Sequence, residues 1–253
     1  MNIRVAVAVA AVGVLAGCGA VDPQFSTSSS TASGPTAPAT ATATPGPVAA
    51  ISASPGGNVL LSDNFSSAAG WGENDAANAH DSYTSGGGYR IEVKTGTAIE
   101  LVYPHTEPHD PDNALVSVRA SLPPANVGGG VFCRAQLGDS GNVGVDVLLV
   151  DASRATWEID RATMRTASAN TRTPLASGPL PSTPAPGPHT VTGRCQSGSD
   201  GTALELHLDG RVIGSATDTS ALAAATGTSG VVAAADGAPG SVDFTDYQFV
   251  AGS

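Results

Sequence analysis

From about Asn58 to the C-terminus the chain consists of short runs in which apolar and polar residues alternate strictly, separated by Gly, Pro, Asn and Asp. Tyr89, Ile91 and Val93 alternate with Arg90, Glu92 and Lys94, and Val116, Val118, Ala120 and Leu122 with Ser117, Arg119 and Ser121. Val131, Cys133, Ala135 and Leu137 alternate with Phe132, Arg134 and Gln136, and Leu204, Leu206 and Leu208 with Glu205, His207 and Asp209. Side chains of a strand point to opposite faces in turn, so a period of two predicts strands with one buried and one wet face. Further strands are expected at 97–103, 143–150, 154–160, 188–196, 211–216, 230–235 and 241–250. Asp209-Gly210 between two apolar runs is a hairpin signal. Only 219–226 offers a short helix. Ten or more short strands in one segment predict a single antiparallel β-sandwich over residues 58–253.

The segment in front of this domain has a different texture. Residues 1–17 carry one charge, Arg4, and then an apolar run from Val5 to Leu15, too short for the roughly 20 residues of a membrane-spanning helix. That is the pattern of a secretory signal. Leu15-Ala-Gly-Cys18 resembles the lipobox of bacterial lipoproteins, in which the cysteine becomes the new N-terminus and carries acyl chains. The resemblance implies a bacterial lipoprotein, extracytoplasmic and anchored to the cell membrane, with Cys18 lipidated and the bilayer as its partner. Two or more acyl chains suffice for stable anchoring, whereas one is marginal. Residues 18–57 are dominated by Ser, Thr, Ala and Pro and hold too few large apolar groups to offset their ordering entropy, so they are expected to form a disordered tether. As a coil it spans roughly 35 Å, and as an extended polyproline-like chain about 120 Å.

The chain has three cysteines. With Cys18 acylated, Cys133 and Cys195 remain as one pair, in a compartment where disulfides persist. Cys133 shares its parity with Val131 and Cys195 with Val191, so both thiols are expected on inner faces, where a bridge between strands is reasonable. Without Arg4 the chain keeps 10 of its 11 Lys and Arg against 22 Asp and Glu. Such an acidic protein is a poor partner for nucleic acid or anionic headgroups. Lys94 is the one lysine, and the Ala, Gly, Thr, Arg and Asp bias resembles that of a GC-rich, actinobacterial genome.

The domain itself carries a family likeness. Leu61-Ser-Asp-Asn-Phe65 with Gly70-Trp71, then Gly87-Gly-Tyr-Arg-Ile-Glu-Val93, resembles the opening of concanavalin A-like (laminin G-like) jelly rolls. Gly129-Gly-Val-Phe-Cys-Arg134, Leu204-Glu-Leu-His-Leu-Asp-Gly-Arg-Val-Ile213 and Val242-Asp-Phe-Thr-Asp-Tyr-Gln-Phe-Val250 are similar to later strands of that family, in the same order. The resemblance implies a jelly roll, a fold that hosts lectins, glycosidases and adhesion modules alike.

Trp157-Glu-Ile-Asp160 tests for an enzyme. Glycosidases of this fold carry a Glu-x-Asp-x-Glu or Glu-x-Asp-x-x-Glu strand, because retaining hydrolysis needs two carboxyls about 5–5.5 Å apart on one face. Glu158 and Asp160 match, but Ala162 and Thr163 stand where the last Glu belongs. The acid has no occupant, and Glu158 and Asp160 read as residues of an exposed strand. His105, His109, Asp110 and Asp112 could serve a transition metal, but Pro104, Pro108 and Pro111 lie among them and favour a solvated turn. Asp63 with Asp243 or Asp246 could share a calcium, which needs six to eight oxygen ligands that these three do not supply. Aromatic platforms for sugar would come from Trp71, Tyr83, Tyr103 and Trp157, although with 11 aromatics in all the core claims most, and Trp71 suits a plug at the sandwich end. No Gly-x-Ser-x-Gly elbow precedes a helix, and Gly86-Gly-Gly88 has no helix behind it to cradle a phosphate. The expected protein is a monomeric, cofactor-free binding module for an envelope glycan or protein, with a glycoside hydrolase as the alternative.

Overall fold

The computed structural model describes residues 57–67, 70–96, 99–105, 112–124, 126–137, 143–165, 168–220 and 227–252. The signal segment, Cys18 and the tether lie outside these residues, as does most of the short helix expected at 219–226. Within them every element is a strand and every ladder is antiparallel. One sheet runs β13 (Arg211–Asp218), β12 (Gly201–Leu208), β11 (Pro188–Gly198), β6 (Asn113–Ser121), β15 (Gly240–Ala251), β4 (Tyr89–Val93), β3 (Ala79–Tyr83) and β2 (Asn74–Asp75), with β1 (Asn58–Asp63) also pairing with β15. The other runs β10 (Ser168–Pro179), β9 (Thr156–Arg165), β8 (Val143–Asp151), β7 (Val127–Leu137), β14 (Thr228–Ala235) and β5 (Ile99–Val102). The two sheets form the sandwich.

Alternation explains the inner faces. Tyr89, Ile91 and Val93 are fully buried while Arg90 and Glu92 are exposed, and Val116, Val118 and Ala120 enter the same core as Leu204 and Leu206. Cys133 on β7 and Cys195 on β11 meet across that core in a disulfide that ties the two sheets together, their Cα atoms 6.7 Å apart. Asp209 and Gly210, both with positive φ (50° and 77°), close the expected hairpin between β12 and β13.

Two expectations of a wet face are corrected. On β7, Phe132 and Arg134 are as buried as Val131 and Cys133, and β8 is buried from Gly144 to Val150. The reason is a second apolar cluster on the outer face of the six-stranded sheet: Ile99, Phe132, Val145, Val147, Leu149, Ala162, Val232 and Ala234. Strands apolar on both faces read as continuous runs instead of alternating ones. Arg134 stands at a bulge with φ of 59°, and its Nη2 donates to the Asp112 carbonyl at 2.8 Å, fixing the end of β7 to the start of β6. On β12, Glu205 and His207 are also buried, and they shield one another at 3.4 Å.

Candidate functional site

The outer face of the six-stranded sheet is apolar in the middle and charged along the β9–β10 side. Register places the groups. Val147 pairs with Asp160 and Leu149 with Glu158, so both carboxylates stand on the face that carries the second apolar cluster. In the β9–β10 hairpin Arg172 pairs with Ala162, Pro174 with Asp160 and Ser177 with Glu158. Together Glu158, Asp160, Arg172, Pro174 and Ser177 line an open pocket of about 260 Å³. That is below the roughly 300–1,000 Å³ of an enclosed small-molecule site, and it suits a ligand lying along the surface.

Arg172 organises the pocket. Its Nε donates to Asp160 Oδ2 at 2.7 Å, and its Nη2 donates to Glu158 Oε2 at 2.7 Å and also to Asp160 Oδ2. Asp160 is nearly inaccessible, at 3% side-chain exposure, whereas Glu158 and Arg172 are about one-third exposed. The expectation that Glu158 and Asp160 sit on a plainly exposed strand is therefore corrected, because β10 lies beside them and supplies the guanidinium. A neighbouring hollow continues the charged rim with Asp151, Arg154 and Asp236. Arg154 donates through Nε to Asp151 Oδ2 at 2.7 Å and through Nη1 to Asp236. Burial pushes the Asp151 pKa upward, but hydrogen bonds from Ser153 and Arg154 outweigh it and hold the carboxyl below its ordinary value.

The four aromatic candidates separate. Trp71, at 2% exposure, is in a buried cluster with Phe65, Tyr89 and Tyr247, its ring centroid 4.9–5.9 Å from theirs. Its Nε1 donates to Asp63 Oδ2 at 2.9 Å and its backbone N–H to the Tyr83 hydroxyl at 2.8 Å. Trp71 thus plugs one end of the sandwich, with Tyr83 half-buried against it. Trp157 is half-buried between the sheets, against Gly178 of β10 and Gly214 of β13. Tyr103 alone packs against the outer apolar cluster, just after β5 and so across the sheet from Arg172. Five strand spacings of about 4.8 Å separate those two edges by about 24 Å.

Asp63 is engaged by Trp71 and the Phe65 N–H, Asp243 pairs with Arg90 through both oxygens at 2.6 and 2.8 Å, and Asp246 lies 3.7 Å from Arg119. Among the described residues no three His, Cys, Asp or Glu side chains gather as a metal site would require of them. His109 and Asp110 lie outside the described residues. Arg172, Pro174 and Ser177 were not singled out in the sequence. The signal that could have found them is the hairpin register, which puts Arg172 opposite Ala162 and on the same face as Glu158 and Asp160.

No family model matches the chain, and no curated protein is significantly similar to it in sequence. Its fold is similar to a Bacillus subtilis protein of unknown function with a galectin-like fold, at 14% identity over 77% of this chain and 96% of that one, with a TM-score of 0.54. It is also similar to a Bacillus licheniformis β-glucanase (12% identity, 78% and 100% covered, TM-score 0.50). A third similar structure is β-agarase B from Zobellia galactanivorans (9% identity, 75% and 91% covered, TM-score 0.50). The chain therefore has a galectin-like, concanavalin A-like jelly-roll sandwich. At these identities the likeness is one of fold, and function must be argued from the site.

Proposed function

We propose that this protein is a non-catalytic glycan-binding lipoprotein, displayed outside the cytoplasm on a tether that begins at acylated Cys18. The observation that carries the binding reading is the pocket at β9–β10, where carboxylate, guanidinium and hydroxyl groups converge beside the apolar ring of Pro174. That mixture suits sugars, which offer hydroxyls to polar groups and C–H faces to apolar ones. Similar folds in a β-glucanase and a β-agarase are consistent with a polysaccharide ligand. Tyr103 on the far edge belongs to the proposed surface, and Trp71 and Tyr83 do not.

Arg172 is the argument against catalysis. A retaining glycosidase needs one carboxyl that delivers a proton to the glycosidic oxygen and a second that attacks the sugar. Here one guanidinium donates to both carboxylates and engages one oxygen of each. Glu158 and Asp160 do share one face and one guanidinium nitrogen, with no more than about two hydrogen-bond lengths between the bonded oxygens, and this favours glycoside hydrolysis as the second reading. The disulfide supports an extracytoplasmic setting, since such bonds persist in oxidising compartments.

A glycan array with the purified protein, read alongside reducing-sugar release from β-glucan and agarose, separates the readings. Binding without release is expected, weakened at least tenfold by Arg172→Ala. Sugar release abolished by Glu158→Gln would replace binding with hydrolysis.

A further inference from the structure

We infer that the pocket at β9–β10 selects an uncharged glycan and turns away polyanionic ones. This rests on the glycan-binding reading above and adds the ligand's charge class. Both arginines of the rim are already committed. Arg172 bridges Glu158 and Asp160, and Arg154 bridges Asp151 and Asp236. Four carboxylates against two guanidiniums leave the rim with a formal charge of −2 (2 − 4).

Exposure decides which of these charges a ligand meets. Asp236 (58%) and Glu158 (34%) face solvent, whereas Asp151 (8%) and Asp160 (3%) stay behind their arginines. An incoming carboxylate or sulfate that took over the bonded edge of either guanidinium would have to displace an acid of the protein. At Arg172, displacing Asp160 would leave it charged, buried and unpaired, which is strongly unfavourable, and displacing Glu158 would leave a carboxylate beside the incoming anion. A sugar hydroxyl has no such conflict. It can donate to a spare lone pair of Glu158 while the Arg172 bridge stays intact. At longer range the formal charge of −11 on the whole chain repels polyanions in the same sense.

The test is an array of neutral polysaccharides beside carboxylated or sulfated derivatives of the same backbones, probed with the purified protein at low and high salt. Neutral members should bind at least tenfold more tightly than their anionic counterparts at low ionic strength. That ratio should shrink in 0.5 M NaCl, where charges more than a few ångströms apart are screened. It should also shrink in the double variant Glu158→Gln, Asp236→Asn. Equal or tighter binding of the anionic members would overturn the charge selection and leave glycan binding standing. Failure to bind any glycan would overturn the glycan-binding reading itself, and this inference with it.

Discussion

Asp146, on β8, faces the interior, with Arg161 Nη1 3.3 Å from its Oδ1 and Asp218 of the opposite sheet beside it. Burial first and the hydrogen bond to Asp218 second push its pKa up to about 7, against the pull of Arg161. Glu100 on β5 faces Asp81 of β3 across the same core, and burial followed by the Asp81 charge raises it to about 9. In the unfolded chain both acids titrate near 4, so the folded protein holds more protons between that value and each folded pKa. The stability tied to each neutral carboxyl is therefore complete below about pH 4, and is lost as pH rises through 7 for Asp146 and 9 for Glu100. His189 works in the same direction. Its Nε2 lies 2.7 Å from the Ala185 carbonyl and its Nδ1 2.8 Å from Asp209 Oδ2, and two acceptors require the doubly protonated ring. The Ala185 acceptor first, opposed by burial and helped by Asp209, raises its pKa. Its contribution is full below about pH 6.5 and disappears above the folded value. Thermal melts from pH 5 to pH 9 should show a steadily falling midpoint. Asp146→Asn should make the fall shallower up to about pH 7, and Glu100→Gln should make it shallower over the whole interval up to pH 9. A wild-type midpoint that rises over this interval would contradict the assignment.

At the scale of elements, Trp157 shows how β9 is locked in place. Its indole fills the gap between β10 and β13, where a Cβ at Gly214 would overlap the ring and one at Gly178 would come within 3.0 Å of it. Gly214→Ala should destabilise the protein by about 1–3 kcal/mol through overpacking. Denaturant titrations should find the loss smaller in a Trp157→Leu background, as expected for two residues in direct contact. An additive pair would mean that the ring moves aside freely. The same region marks the limit of what the sequence discloses. β4, β6 and the inner face of β12 were legible because each buries one face, and the parity of Cys133 and Cys195 follows from that alternation. β10 was not legible. Ser168–Pro179 is polar and holds Pro174 and Pro179, residues that weaken a central strand but are tolerated at the edge, where β10 pairs only with β9. Losing β10 meant losing Arg172, and Glu158 and Asp160 then looked like unpaired charges on a wet strand. β1 and β3 lack the alternation: β1 buries no side chain fully, and β3 places Asp81 at a buried position.

For the whole molecule, the inter-sheet disulfide and the proposed anchor are linked through the three thiols. Cys133 and Cys195 close a loop with a sequence separation of 62 residues, and chain entropy assigns such a bridge about 4 kcal/mol. Replacing both by Ala should cost about 2–5 kcal/mol and leave the fold without its covalent tie between sheets. The pairing consumes two cysteines and leaves Cys18. If Cys18 carries thioether-linked lipid, the exported protein has no titratable thiol, even when denatured without reductant; an unmodified Cys18 retained in the product would supply one per chain. The anchor predicts a second, independent outcome. With the signal segment exchanged for one that is cleaved without lipidation, Cys18→Ala should shift the protein from the membrane pellet to the soluble fraction, because stable attachment needs the acyl chains. The melting curve of that variant should match the wild type, since the described sandwich runs from Asn58 to Ala251. A membrane-bound Cys18→Ala protein would show that something other than the lipid holds this domain at the surface.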